Sequence, residues 1–178
     1  MSTITPSTSS FAIAQAVGLT GAAWLSGNIF SLSLMGIPPL IEAHHREKIP
    51  LSTTVKQWRT IYTYGAQRAP LIALSTASTF LYLAWGVRES TPLSLITARH
   101  SSKVYCAAAA LVLGIVPFTL TFMKKTNDRL TQWARHESEW TADADAEVEG
   151  LLWKWTWLNA ARSLFPLLGG LVGLGVFA

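Results

Sequence analysis

Residues 69–87, APLIALSTASTFLYLAWGV, contain no Asp, Glu, Lys, Arg or His. Neither do residues 104–123, VYCAAAALVLGIVPFTLTFM, nor the longer run 11–41. As a helix, about 20 apolar residues cross a hydrocarbon core of about 30 Å, since each rises about 1.5 Å. A fourth run, 163–178, is shorter, but its helical pattern reaches back through 151–162. The chain therefore reads as all-α, a four-helix transmembrane bundle with helices near 11–37, 55–88, 103–125 and 147–176. The fourth span requires Lys154, Asn159 and Arg162 to lie in or near the membrane. The first ten residues, MSTITPSTSS, form a polar tail ahead of one four-helix domain over 11–178. No basic n-region precedes the first run and no small-residue cleavage site follows it, so it reads as a span, not a signal peptide.

Composition agrees. Half of the 178 residues are hydrophobic and 13% are charged, where a soluble domain carries about a quarter. The single cysteine, Cys106, allows no intrachain disulfide framework and no cysteine-rich zinc site. The net charge of +4 sits between apolar runs, which is a topology signal and not a nucleic-acid surface. The first loop carries Arg46, Lys48, Lys56 and Arg59, and the third Lys124, Lys125, Arg129 and Arg135. The second carries Arg88, Arg99 and Lys103. By the positive-inside rule loops one and three are cytosolic and both termini lumenal or external. With no other targeting signal, an endoplasmic-reticulum-like membrane is expected.

On that topology the polar residues gather near the cytosolic face. Glu42, His44 and His45 follow the first run, Asn127 and Asp128 the third. Trp58, Tyr62 and Gly65 fall at i, i+4, i+7, one face of a helix. Trp155, Asn159 and Arg162 repeat that spacing. An intramembrane charge normally faces a bundle interior or a wet cavity, so Arg162 wants an acceptor: Asp128, Glu42 or the anion of a ligand. Asn28, mid-span, also wants a partner. Trp153 and Trp157 read as an interfacial belt, and Trp58 and Tyr62 fit one as well. Gly18, Gly21, Ala22 and Ala23, Ala107–Ala110, and Gly169, Gly170, Gly173 and Gly175 suit close helix packing, and such faces permit a homo-oligomer.

The four histidines, His44, His45, His100 and His136, lie outside the apolar runs, which disfavours a bis-histidine haem within the membrane. No HExxH or multi-histidine box is present. No metal site is assigned. His44 or His45 suits a proton acceptor near neutral pH.

The order Gly27-Asn28, Pro38 or Pro39, Gln57-Trp58-Arg59-x-x-Tyr62-x-x-Gly65 with Pro70, Asn127-Asp128-Arg129-Leu130, and Trp155-x-x-x-Asn159-x-x-Arg162 resembles the anthrone oxygenase-like family of small four-helix membrane proteins. The likeness covers about 12–175. The Lys124-Lys125-Thr126 approach to Asn127 departs from the apolar, proline-bearing approach expected there. The resemblance implies oxidation of an anthrone, or a similar planar polycyclic phenol, to a quinone with molecular oxygen as co-substrate and no flavin, haem or metal. Under it, Trp58 and Tyr62 line a flat slot and Gly65 leaves room. Arg162 and Asn159 hold the enolate oxygen, and His44, His45 or Asp128 takes the proton. Asn28, Asn127 and Trp155 join the substrate contacts. The partners would be a hydrophobic aromatic small molecule and the bilayer, with no nucleic acid. Two other readings stay open. A non-catalytic tetraspan scaffold or carrier would have Arg162 neutralised by protein alone. A metal-dependent oxidase would need His44 and His45 to point together with a third ligand.

Overall fold

In a computed structural model the described residues are 7–89, 91, 100–135 and 141–175. The residues 1–6, Arg99, His136, the acidic stretch as far as residue 140, and the expected end of helix four at 176 lie outside them. The described residues are helical, joined by short turns, with no strand among them. Helix α1 (Thr8–Ser31) runs through a π-helical turn (Leu32–Gly36) into α2 (Pro38–Glu47). Helix α3 spans Leu51–Gly86. The third stretch is α4 (Ser101–Leu113), α5 (Ile115–Phe118), a second π-helical turn (Thr119–Met123) and α6 (Lys124–Trp133). Helix α7 spans Ala142–Leu174. These stretches match the four expected elements. Three of them, Thr8–Glu47, Leu51–Gly86 and Ser101–Trp133, are long and apolar enough to cross a membrane.

The helices outrun the apolar stretches, and the causes are local. The first helix was expected to stop near residue 37, before Pro38 and Pro39. Both prolines instead begin α2, where a missing N–H costs nothing and the fixed φ is already helical. Their missing donors interrupt the i→i+4 ladder. The Ile37 N–H donates five residues back, to Leu32 O, at 3.0 Å. Helix α2 then continues through polar residues with a Glu42–Arg46 pair at 2.8 Å, and α6 with a Lys124–Asp128 pair at 2.7 Å. Such exposed i,i+4 pairs contribute only about 0.3–0.5 kcal/mol each. Helix α7 starts at Ala142, five residues before the expected start at 147. The Thr141 hydroxyl accepts the Ala144 N–H at 3.3 Å, and Asp143 and Asp145 sit in the first turn, where the macrodipole favours acids.

Contacts divide the chain into two compact units. One comprises residues 1–26, 70–115 and 164–178. Its packing rests on small residues that admit large ones. Phe80 is fully buried; a Cβ on Gly18 or Gly173 would come to 3.1 or 2.7 Å of its ring. The Phe80 ring stacks on Tyr105 at 6.3 Å, and the Tyr105 hydroxyl accepts from Gln15 Nε2 at 2.8 Å. Gly169 lies where a Cβ would stand 2.9 Å from Ala108 O and 2.8 Å from Val112 Cγ2. Close backbone approach of this kind is how helices associate without a hydrophobic driving force. Gly18, Gly21, Gly169, Gly170 and Gly173 thus take the packing role read for them, whereas Gly175 meets nothing within 4 Å.

The second unit comprises residues 27–69 and 116–163. Its core joins Ile37 and Ile41 of α2, Leu51, Val55 and Trp58 of α3, Met123 and Leu130, and Val148, Leu152 and Trp155 of α7. The polar ends of α6 and α7 are tied by Arg129, whose Nε and Nη2 donate to the two Glu147 oxygens at 2.6 and 3.0 Å. Arg129 also lies 5.2 Å over the Trp133 ring.

These close approaches set a test. Gly169→Ala should destabilise by about 1–3 kcal/mol, the range for overpacking a tight contact, because its new methyl meets backbone on one side. Gly27→Ala, where a Cβ meets nothing within 4 Å, should be neutral or stabilising by up to about 1 kcal/mol. Thermal unfolding of the detergent-purified variants reads both.

Candidate active site

The second unit holds a polar cluster built on α7. Trp155, Asn159 and Arg162 lie on one helical face, as their spacing requires. Asn159 is fully buried and uses every polar atom. Its Nδ2 donates to Ile29 O at 2.7 Å and to Ser33 Oγ at 3.0 Å. Its Oδ1 accepts from Arg162 Nη2 at 2.6 Å. Arg162 Nη1 donates to Thr119 Oγ1 at 3.1 Å. Both hydroxyl acceptors, Ser33 and Thr119, sit in the π-helical turns. A π turn widens the backbone ring locally and recurs at functional sites.

Arg162 therefore rests on neutral oxygens. Among the described residues no carboxylate forms an ion pair with it. Asp128 pairs with Lys124 and Glu42 with Arg46, both exposed. The Tyr62 phenol lies near enough to the guanidinium to act on it electrostatically. Neutralisation of Arg162 by protein alone, which the scaffold reading requires, is not what the described residues provide. Arg162 Nε is buried and has no hydrogen-bond partner among them.

Tyr62 connects this group to the aromatics. Its ring stacks on Trp58 at 5.1 Å with the planes 5° apart. Trp155 meets Trp58 edge to face at 6.0 Å and 87°. Contacts of this kind add about 0.5–1.5 kcal/mol each beyond area burial. Trp58 is fully buried and Trp155 nearly so, so neither is a belt residue. Trp153 and Trp157, 40% and 72% exposed, fit the belt. The indole Nε1 atoms of Trp58 and Trp155 are buried without a partner among the described residues, as is Asn127 Oδ1. An unmet buried polar group costs about 1–3 kcal/mol. Three orphaned N–H donors, from Trp58, Trp155 and Arg162, thus accompany one aromatic cluster.

The remaining candidates are placed differently. Gly65 leaves open space where a side chain would stand. His44 is half-buried; its Nδ1 donates to Ile49 O at 2.7 Å, which leaves Nε2 as the acceptor nitrogen. His44 continues the Ile37–Ile41 face of α2 at the i, i+4, i+7 spacing, and that face packs in the Trp58 core. His45 is exposed and lies 3.0 Å from Glu149. The His44 and His45 rings are 5.0 Å apart, but no three His, Cys, Asp or Glu side chains among the described residues assemble as a metal site. Asp128 and Asn28 are exposed and stand outside the cluster. Sequence reading missed Ser33, Thr119 and the Ile29 carbonyl. A hydroxyl isolated in an apolar run close to a proline was the available signal for the first two.

The comparisons with known proteins bear on this geometry. The family model described as anthrone oxygenase matches residues 58–172, a range that includes Trp58, Tyr62, Trp155, Asn159 and Arg162. The anthrone oxygenase encC of Aspergillus fumigatus is 37% identical over 169 residues, covering 89% of this chain and 88% of that protein. The anthrone oxygenase AgnL2 of Paecilomyces divaricatus is 32% identical over 162 residues, covering 90% and 92%. The noranthrone monooxygenase of Aspergillus flavus is 32% identical over 160 residues, covering 88% and 69%. No solved structure matches. A family model covering more than half of the chain, and relatives above 30% identity along most of it, reach the aromatic and cationic residues just described: the chain belongs to the anthrone oxygenase family.

Proposed function

We propose that this protein oxidises an anthrone, or a closely related planar polycyclic phenol, to a quinone with molecular oxygen, and that its own side chains suffice. The observation that carries this reading is Arg162, held on neutral oxygens with a spare buried N–H, on the same face of α7 as Trp155, whose indole N–H is unpartnered like that of Trp58. Such a group suits an anion that arrives with the substrate. Preorganised charge aimed at a developing oxyanion is commonly the largest single source of rate enhancement.

The substrate's methylene is doubly benzylic and flanked by phenols, so loss of one proton gives a delocalised, electron-rich enolate. The enolate passes one electron to oxygen, and the resulting radical pair combines to a peroxide at that carbon. Loss of the remaining carbon-bound proton with cleavage of the O–O bond gives the ketone and water. Oxidation of CH2 to C=O supplies four electrons, which matches oxygen reduced to one carbonyl oxygen and one water.

In this scheme Arg162 holds the enolate oxygen. Asn159 acts through Arg162, since all its polar atoms are occupied in fixing the guanidinium and the neighbouring turn; it is a positioning residue. Trp58 and Tyr62 form the flat wall. The indole N–H groups of Trp58 and Trp155 donate to the phenolic oxygens. His44 takes the proton through Nε2. The protein sits in an endomembrane with loops one and three cytosolic, as the Lys and Arg excess there favours.

The assay is anaerobic mixing with emodin anthrone followed by an oxygen pulse, with quinone absorbance read against a protein-free control. Arg162→Gln should lower the protein-dependent rate by about 100-fold or more, as loss of an oxyanion donor does elsewhere. Arg162→Lys should recover only part, because an ammonium cannot reproduce the guanidinium fork. Trp58→Phe keeps an aromatic ring but removes the N–H and part of the buried indole, and a loss of at least about tenfold is expected, one hydrogen bond's worth or more. A fully active, folded Arg162→Gln protein would remove the anion-holding role. Chelator should leave the rate unchanged, and loss of rate with chelator would redirect the reading to His44 and His45 as metal ligands.

A further inference from the structure

A recess lies along α3, on the side of the helix away from Trp58. It is a groove of about 580 Å³ lined by Lys56, Arg59, Thr63, Tyr64 and Gln67, with Ala134 at the end of α6 as one wall. The α3 residues recur at three- and four-residue intervals, so they form one stripe on the helix. Among the described residues the lining contains two cations and no carboxylate. Neither Lys56 nor Arg59 enters an ion pair among the described residues. The Thr60 and Thr63 hydroxyls donate to the carbonyls of Lys56 and Arg59, at 3.1 and 2.8 Å, so their lone pairs face outward. At the other end Arg68 lies 4.6 Å over the exposed Tyr64 ring.

Position along the helix narrows the ligand. The charge-free run of α3 begins at residue 69, so Gln67 and Tyr64 stand level with lipid head groups. Lys56 and Arg59 are 13 and 10 residues further out, roughly 15–20 Å along the axis. The head-group layer is only about 5–8 Å thick on each side. Even with the side chains reaching back toward the membrane, the glycerol phosphate of an ordinary phospholipid does not meet both cations, and a second phosphate carried outward on the head group does. We propose that this groove binds an anionic lipid whose head group is a phosphorylated polyol, a phosphoinositide-type lipid. Thr63, Tyr64 and Gln67 meet its hydroxyls, and Lys56 and Arg59 its outer phosphomonoester. Juxtamembrane basic residues attract such lipids generally; here they border a recess with hydroxyl and amide partners at the right height. The assignment is independent of the reaction proposed above.

The test uses the full chain in phosphatidylcholine nanodiscs with and without phosphatidylinositol 4-phosphate. The lipid should raise the thermal midpoint of the wild-type protein, and native mass spectrometry should show it retained. In K56Q/R59Q retention should fall about thirtyfold, two juxtamembrane cations' worth. K48Q/K125Q removes equal charge from two other exposed positions on the same side of the membrane and should retain the lipid. Equal loss in both double variants would mean bulk charge alone and would overturn the groove. Equal retention of phosphatidylinositol 4-phosphate and phosphatidylcholine would do the same. Displacement by inorganic phosphate as effective as by inositol phosphate would overturn the lipid assignment, because a head-group site must read the polyol.

Discussion

A guanidinium half-buried in an apolar helix, with no carboxylate paired to it among the described residues, is the constraint around which the second unit is arranged. Removing Arg162 from water costs several kcal/mol unless its donors find oxygen. The chain supplies neutral oxygen from two other elements: the Thr119 hydroxyl, and the Asn159 amide, itself held by Ile29 and Ser33. Neutral acceptors satisfy the hydrogen bonds and leave the positive charge uncompensated. A carboxylate would have silenced that charge. A structural arginine and one meant for an anionic ligand differ in this respect.

The backbone is adapted to the same end. Ser33 and Thr119 lie in the only two π-helical turns among the described residues, one running into Pro38–Pro39 and the other following Pro117. Proline removes a donor and crowds the preceding turn, and each local irregularity presents a hydroxyl to α7. The prolines therefore do more than bend helices. Pro38 and Pro39 mark where the regular ladder gives way before α2. Trp58, Tyr62 and Trp155 add the rigid aromatic wall, with two indole donors unspent.

The first unit works by other means. Phe80 seats against Gly18 and Gly173, and Gly169 lets α7 approach the backbone of α4. Here stability comes from shape and dispersion, with the Gln15–Tyr105 hydrogen bond as a polar exception. The division of labour matches the chain's chemistry: small and aliphatic residues where packing alone is needed, and hydrogen-bonded polar residues around the buried guanidinium.

The sequence by itself determined the number and order of the helices, because charge-free runs of membrane length allow no other regular structure. It also picked out Arg162, since an intramembrane charge is costly enough to need a reason, and the shared face of Trp155, Asn159 and Arg162, since helical periodicity is local. The helix ends escaped it. Residues 38–47, 124–133 and 142–150 are largely polar, and their helicity rests on proline at N1, a threonine cap, side-chain pairs and single apolar residues such as Ile41, Leu130 and Val148 packed in the core, not on a charge-free run. Only the tertiary structure decided the partners. The sequence left Asp128, Glu42 or a ligand's anion open as the acceptor for Arg162, and Asn28 in want of a partner. The fold instead pairs Asp128 with Lys124 and Glu42 with Arg46, leaves Asn28 exposed, and offers Ser33, Thr119 and the Ile29 carbonyl in their place. Hydrogen bonds reach only about 3 Å. Which acceptor comes within that distance depends on how residues more than forty positions apart are packed, and no local pattern encodes it.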